Sequence, residues 1–198
     1  ANLIAMLFPE YHKKLFSERR QKLIQLIEDP HPSLIVLFNS PTYKIGSDAH
    51  YPYRCDSSFF YLTGLLEEQS AALIWKDGKK INYELFVRPR NPEKEQWEGY
   101  RLGPAGAEKT LSPDKAYTRE ELPGRIQEWF KTLPKGSLPR IYSNTSTHEE
   151  LFVELRKTLK GIQGNIRAGV SEPNGLIEVL PYIRKIRSIK DAHELKEM

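Results

Sequence analysis

The chain of 198 residues carries 30 basic and 26 acidic side chains, a formal net charge of +4, and 39% of its residues are hydrophobic. This length and composition exclude an intrinsically disordered chain and predict one domain with a core of its own. The single cysteine, Cys55, excludes an internal disulfide and a multi-thiolate zinc site, and it predicts a reducing compartment, the cytoplasm.

Neither a membrane nor a nucleic acid is predicted as a partner. No stretch approaches the ~18 to 20 apolar residues that a membrane span requires. The densest basic cluster, Arg184, Lys185, Arg187 and Lys190, is followed directly by Asp191, and acidic residues are interleaved with basic ones elsewhere. We interpret the cluster as the solvated face of a helix. A nucleic-acid binder is kept as a further class of function that rests on net charge alone.

The first half of the chain predicts a helix, a buried strand and a hairpin. Ser17 is a suitable N-cap, and the apolar residues after it recur at helical spacing. Asp77-Gly78 supplies the positive backbone angle that a tight hairpin turn needs. The predicted elements are a helix over residues 17–28, a strand over residues 33–38, and hairpin strands over residues 71–75 and 81–87.

The second half predicts helices that alternate with short strands. Thr118 with Glu121 and Thr147 with Glu150 each have the spacing of a capping box, which marks the start of a helix. Residues 88–115 are rich in Pro, Gly and charge and are predicted as an exposed connection with one short helix. The predicted elements are helices over residues 93–100, 123–133, 148–160 and 174–186, and strands over residues 140–143 and 165–170.

Strands that alternate with helices, with one hairpin among them, predict an α/β fold in which helices cover both faces of a mixed sheet. The last segment predicts a further helix. Ser188 is placed to cap it, and Ile189, Ala192, Leu195 and Met198 would share one face. We therefore predict a domain over residues 1–186 and the start of a linker helix over residues 187–198.

Local signatures of catalysis are missing from the sequence. It contains no His-Glu-x-x-His, no Gly-x-Ser-x-Gly and no glycine-rich phosphate loop, and its five histidines are dispersed. Cys55 is interpreted as a small core hydrophobe rather than a nucleophile, and Asp56 as a helix N-cap rather than a general base. The residues themselves therefore predict no catalytic side chain and no metal site in this chain.

Three stretches resemble the N-terminal domain of Xaa-Pro aminopeptidases. The first is Tyr51-Pro52-Tyr53-Arg54-Cys55-Asp56-Ser57-Ser58-Phe59-Phe60-Tyr61-Leu62-Thr63-Gly64, and the second is Trp97-Glu98-Gly99-Tyr100-Arg101-Leu102-Gly103. The third, residues 183–195, is similar to the linker helix that leads into the catalytic domain of that family. The chain departs from the family pattern at Cys55-Asp56 and at Leu65-Leu66-Glu67-Glu68.

The resemblance implies a creatinase-type domain, a three-layer α/β/α fold with a mixed sheet, joined in the full protein to a pita-bread catalytic domain. That second domain would bind two Mn²⁺ or other divalent ions and cleave peptides whose second residue is proline. The resemblance implies no cofactor in this chain, which is expected to be inactive alone, and it implies a homodimer or homotetramer as the full assembly.

The resemblance also implies roles for particular residues. Trp97, with Arg101 beside it, would lie near substrate across a subunit interface. The signature residues are expected to be mainly structural; they are Tyr53, Arg54, Ser57, Phe59, Tyr61, Thr63 and Gly64. Two other interpretations stay open: the N-terminal domain of a prolidase, which cleaves Xaa-Pro dipeptides, and a non-catalytic peptide-binding module.

Overall fold

The computed structural model of the chain describes residues 10–43, 45, 51–164 and 170–197. The helices are α1 (Glu10–Ile27), α2 (Ser57–Thr63), α3 (Pro92–Glu98), α4 (Gly103–Leu111), α5 (Leu122–Lys131), α6 (Glu149–Gln163), α7 (Leu180–Ser188) and α8 (Ala192–Glu197). The strands are β1 (Ser33–Phe38), β2 (Ala71–Asp77), β3 (Lys80–Val87), β4 (Lys115–Thr118), β5 (Arg140–Ser143) and β6 (Leu176–Glu178). None of the helices in these ranges is long and apolar enough to cross a membrane.

Within the described residues, six strands form one mixed sheet in the order β4-β3-β2-β1-β5-β6. Strand β2 is antiparallel to both of its neighbours, β1 and β3, and the remaining pairs are parallel. Val36, near the end of β1, pairs with Leu73 on one side and with Ser143 on the other. The predicted mixed sheet and the predicted hairpin are therefore confirmed.

Alternate residues of the central strand β1 face two separate apolar layers. Ile35 and Leu37 belong to a core that includes residues of α1, α2, α4 and α7. Leu34, Val36 and Phe38 belong to a second core, which includes residues of α5 and α6. Burial on both sides is the reason that β1 is a continuous aliphatic run rather than an alternating one. The fold is the predicted three-layer α/β/α arrangement.

Several predicted boundaries in the first half are wrong. Helix α1 begins at Glu10 rather than at Ser17, because the helical stripe already includes the buried Leu15 and Phe16. The connection after β3 is more ordered than its composition indicates, since it contains both α4 and β4. Gly103, at a φ of +62°, lets the chain turn tightly into α4, so a residue that was interpreted as a loop signal begins a helix instead.

Predictions in the second half meet mixed outcomes. The capping box of Thr118 and Glu121 is confirmed, and it opens a short 3₁₀ turn that leads into α5. Helix α6 has His148 at its N-cap position, so it is not a helix capped by Thr147. The strand predicted over residues 165–170 lies almost wholly outside the described residues.

The helix predicted over residues 174–186 is wrong in its first part. Residues Leu176–Glu178 pair with β5 as the parallel strand β6, and α7 begins only at Leu180. A short apolar run does not distinguish a buried strand from a helix, and here pairing with the edge of the sheet decides. Ser188 is also not a cap, because it is the last residue of α7, and Asp191 caps α8 instead.

We predict that Gly64→Ala destabilises the chain by about 2 to 4 kcal/mol, measured as the free energy of unfolding in urea. Gly64 follows α2 at a φ of +71°, and a Cβ there would lie 2.3 Å from Cε2 of Phe16. Gly78→Ala is the matched control, since Gly78 has a φ of +58° but a Cβ added to it would meet no atom within 4 Å. Equal losses in the two variants would contradict a role for the Phe16 contact.

We predict that Asp29→Asn removes a pH-dependent part of the stability. The Asp29 carboxylate accepts hydrogen bonds from Tyr142 Oη at 2.5 Å and from the His31 backbone N at 3.0 Å, and Arg140 Nη1 lies 3.3 Å away. Burial acts to raise the pKa of Asp29, but these hydrogen bonds and the Arg140 charge outweigh it and lower the pKa. The charged form is therefore favoured in the folded state.

A lowered pKa stabilises the fold above the unfolded value and loses that effect as the pH falls through the folded value. Asp29→Asn should thus be less stable than the wild type by about 1 to 3 kcal/mol at neutral pH, and the gap should close between about pH 5 and pH 2. Urea unfolding across this range measures it, with the exposed Asp77→Asn as control. A gap independent of pH would contradict the prediction.

Candidate functional site

The loops that carry the family signature meet at one edge of the sheet, which we call the carboxyl edge. It is the edge where β1, β3 and β5 end, at Phe38, Val87 and Ser143, and where β2 begins, at Ala71. Ligands of open α/β sheets usually bind outside the carboxyl ends of the strands. The described residues of these loops are 39–43, 45, 51–56, 64–70, 88–102 and 144–148.

Two buried asparagines organise the end of β1. The Asn144 side chain accepts from the Phe38 backbone N–H and donates to the Phe38 carbonyl oxygen, both at 2.8 Å. Asn39 Nδ2 donates to the Glu67 carbonyl oxygen at 2.9 Å, and Asn39 Oδ1 accepts from the Asp56 backbone N–H at 2.9 Å. Asn39 therefore joins the loops before α2 and before β2 to the strand end.

The signature segment turns at Asp56 into α2. The Asp56 carboxylate accepts from the Phe59 backbone N–H at 2.7 Å, so Asp56 is the N-cap that the sequence predicts. Phe59, Tyr61 and Thr63 are buried, and Gly64 ends the helix in the left-handed conformation. These positions support a mainly structural role for this part of the signature.

The other signature residues lie outside the core. Arg54 and Ser57 are exposed, while Tyr53 is half-buried in a cavity of about 430 Å³ that His148 also lines. Cys55 lines the same cavity, and burial raises the pKa of its thiol to about 11. A thiol with a raised pKa is a poor nucleophile, in agreement with the structural interpretation of Cys55.

A buried ionic cluster holds the loop after β3. Arg88 forms ion pairs with Glu67 and Glu68, and Thr42 donates a hydrogen bond to Glu68. Glu67 Oε2 also accepts from the Leu102 backbone N–H at 3.1 Å. Burial raises the pKa of Glu67, and the hydrogen bonds from Leu102 and Arg88 act against that rise. In the sequence, Glu67 and Glu68 stand out only as departures from the family pattern, and no local signal indicates this anchoring role.

Trp97 projects from the surface of this loop. Its side chain is 90% exposed, so it does not pack against its own helix α3. Asn91 caps α3 by accepting from the Lys94 backbone N–H at 3.1 Å. Arg90 pairs with Glu95 at 2.6 Å, which fixes the first turn of the helix to the preceding residues. The indole is thus displayed on a short helix with a capped N-terminus.

The structure separates the two residues that sequence analysis placed together near substrate. Arg101 is only 7% exposed, and its Nη1 lies 3.5 Å from the Pro89 carbonyl oxygen. Arg101 therefore supports the base of the loop from inside, whereas Trp97 points outward. Further aromatic side chains are exposed on the loops of the same edge; they are Tyr43, Tyr51 and Tyr100.

Large aromatic side chains are exposed at the carboxyl edge. Among the residues that the structure describes, no group of three or more His, Cys, Asp or Glu side chains could hold a metal ion. The resemblance places its two divalent ions in the second domain, and the described residues of this chain do not provide a set of ligands for them. The exposed aromatic side chains can make apolar contacts and, through the tyrosine hydroxyls, hydrogen bonds, which suits recognition of another protein surface or of a peptide.

Comparison with known proteins gives a consistent result. The profile of the family Aminopeptidase P, N-terminal domain, matches residues 16–137. A Xaa-Pro aminopeptidase of Haemophilus influenzae is 36% identical over 94% of this chain, which covers 39% of that relative. Xaa-Pro aminopeptidase 3 of Homo sapiens is 28% identical over 92% of the chain, which covers 36% of it.

Solved structures agree with the sequence relatives. Aminopeptidase PepP of Pseudomonas aeruginosa superposes with a TM-score of 0.82 at 27% identity, over 93% of this chain and 40% of that one. The low-pH form of aminopeptidase P from E. coli gives a TM-score of 0.82 at 25% identity. The chain spans about 40% of the length of these relatives. It belongs to the family of aminopeptidase P N-terminal domains.

Proposed function

We propose that this chain is the accessory N-terminal domain of a metalloaminopeptidase that removes the residue preceding proline from peptides. The observation that carries the proposal is the match to Xaa-Pro aminopeptidases along 94% of this chain but only 39 to 41% of their length. Peptides with proline at the second position are the proposed substrates, and the cytoplasm is the proposed compartment. The amide nitrogen of proline carries no hydrogen, so recognition must rely on ring shape and on the free N-terminus of the peptide.

The reaction itself is assigned to a second domain. We place the two Mn²⁺ or other divalent ions there, because the described residues of this chain provide no group of ligands for them. When bound, such ions activate a water molecule for attack on the peptide bond. The proposed contribution of this chain is to wall the entrance of that active site and to build the homodimer or homotetramer.

Trp97 is the residue of this chain that we place nearest to substrate. The Trp97 indole is 90% exposed, whereas a large aromatic side chain is usually buried in a core or in a binding interface. Its exposure on an N-capped helix therefore suits a contact with another surface. Exposed Tyr43, Tyr51 and Tyr100 on the same edge enlarge the apolar surface. We propose that this surface packs against the second domain of a neighbouring subunit, with Arg101 supporting the loop from below.

The first prediction of this proposal concerns Trp97→Ala in the full-length parent protein. We expect kcat/KM for a Xaa-Pro tripeptide to fall about 10- to 100-fold, because a desolvated aromatic contact near substrate is lost. The free energy of unfolding of the 198-residue chain should change by less than about 0.5 kcal/mol, because the side chain is exposed. Gln96→Ala, on the same helix and also exposed, is the matched control. Unchanged kinetics in Trp97→Ala would contradict the placement near substrate.

The second prediction tests the division of labour between the domains. Hydrolysis of a Xaa-Pro tripeptide and of a Xaa-Pro dipeptide is measured with added Mn²⁺, on this chain and on the full-length parent. We expect tripeptide cleavage by the parent alone. Cleavage of dipeptides only would favour a prolidase, and cleavage by this chain alone would reveal a catalytic site that the described residues do not explain. An inactive parent would favour a peptide-binding module.

A further inference from the structure

Helix α8 is joined to the body of the domain by a buried ionic contact with α1. Arg19 Nη2 lies 2.8 Å and Arg19 Nε 3.2 Å from Asp191 Oδ2, while Glu194 Oε2 is 3.8 Å from Nη2. The Arg19 side chain is only 7% exposed. A charge held this far from water is stable in the fold only with close partners, so the contact between Arg19 and Asp191 is strongly constrained.

Asp191 uses its other oxygen to begin α8. Asp191 Oδ1 accepts from the backbone N–H of His193 at 3.0 Å and from that of Glu194 at 2.8 Å. Glu194 Oε2 accepts in return from the Asp191 backbone N–H at 3.1 Å, which completes a capping box. One carboxylate therefore binds the guanidinium with one oxygen and the first turn of the helix with the other. Arg19 is consequently in direct contact with the residue at which α8 begins.

Arg19 also contacts α2. Its guanidinium lies 4.0 Å above the centre of the Tyr61 ring, and its Nη1 donates to the Tyr61 carbonyl oxygen at 3.3 Å. Arg187 of α7 lies 5.7 Å from the same ring and donates to Ser57 Oγ at 3.2 Å. The rigid aromatic side chain of Tyr61 thus links the start of α8 to three other helices of the domain.

The apolar residues near α8 do not attach it to the body in the usual way. Leu195 is 63% exposed and Ile189, just before the helix, is 80% exposed. A surface helix ordinarily docks by burying such residues. Because Ile189 and Leu195 are exposed, the ion pair between Arg19 and Asp191 contributes much of what holds α8 in its orientation. These exposed side chains are also available to a partner that arrives from the direction in which the helix points.

We infer that Arg19 is a positioning residue, which fixes the direction of α8 and, through this helix, the orientation of the second domain. The inference rests on the proposed function in so far as it needs a second domain. Arg19, a buried residue of α1, would then affect the reaction without contacting the substrate.

The first test uses hydrogen exchange on the 198-residue chain. Arg19→Met should raise the exchange rate of the amides of residues 193–197 at least about tenfold relative to those of β1, because α8 loses its anchor. Arg20→Met is the matched control, since Arg20 is equally buried but donates to the Leu62 carbonyl oxygen and lies over the Tyr83 ring. Asp191→Asn, which keeps a capping oxygen, serves if Arg19→Met does not fold. Unchanged exchange in α8, or an equal rise in Arg20→Met, would overturn the inference.

The second test uses the full-length parent and a Xaa-Pro tripeptide. Arg19→Met should lower kcat/KM about 10- to 100-fold through misplacement of the second domain, and Arg19→Lys should recover part of the loss. Arg20→Met should lower kcat/KM only in proportion to the fraction unfolded. Equal losses in Arg19→Met and Arg20→Met would overturn the positioning role. A wild-type parent without activity would refute the proposed function, and the exchange result would then still decide whether Arg19 directs α8.

Discussion

The constraint on which the carboxyl edge depends is the satisfaction of the backbone where β1 ends inside the protein. A buried N–H or C=O group without a partner costs about 1 to 3 kcal/mol, so a central strand that ends under its own loops needs side-chain partners. The Asn144 side chain pairs with both the N–H and the C=O group of Phe38. The Asn39 side chain forms hydrogen bonds to the backbone of Asp56 and Glu67 in the loops that follow. The loops of this edge are therefore tied to the most buried strand of the sheet rather than resting on the surface.

Partners for buried polar groups also hold the loop that carries Trp97. Glu67 accepts a hydrogen bond from the Leu102 backbone N–H and forms an ion pair with Arg88. These buried polar contacts hold the base of this loop. Removing one partner from such a cluster lowers the stability of the fold strongly, because the remaining buried charge is left uncompensated. The carboxyl edge thus exposes aromatic side chains on loops that buried polar contacts hold in place. This combination suits a binding surface whose residues must keep a defined position.

What the sequence could predict was governed by how local the signal is. Strands β1 and β5 were predicted with their observed bounds, and the capping roles of Asp56 and Thr118 were predicted correctly, because these depend on a few neighbouring residues. The short strands β4 and β6 were missed, since their pairing partners lie far away in the chain. The role of Asn39 was missed for the same reason: an asparagine after a strand is usually a turn residue, and only the tertiary fold buries it. The family motif located the Trp97 loop but could not reveal that Arg101 faces inward.

The central claim is that this domain presents Trp97 to the active site of a neighbouring subunit. Replacing Trp97 by the photoreactive p-benzoylphenylalanine in the full-length parent, in oligomers mixed from isotope-labelled and unlabelled subunits, tests it most directly. The account predicts cross-links, identified by mass spectrometry, that join labelled to unlabelled chains and fall in the second domain. Cross-links confined to a single chain, or to the N-terminal domains alone, would contradict it.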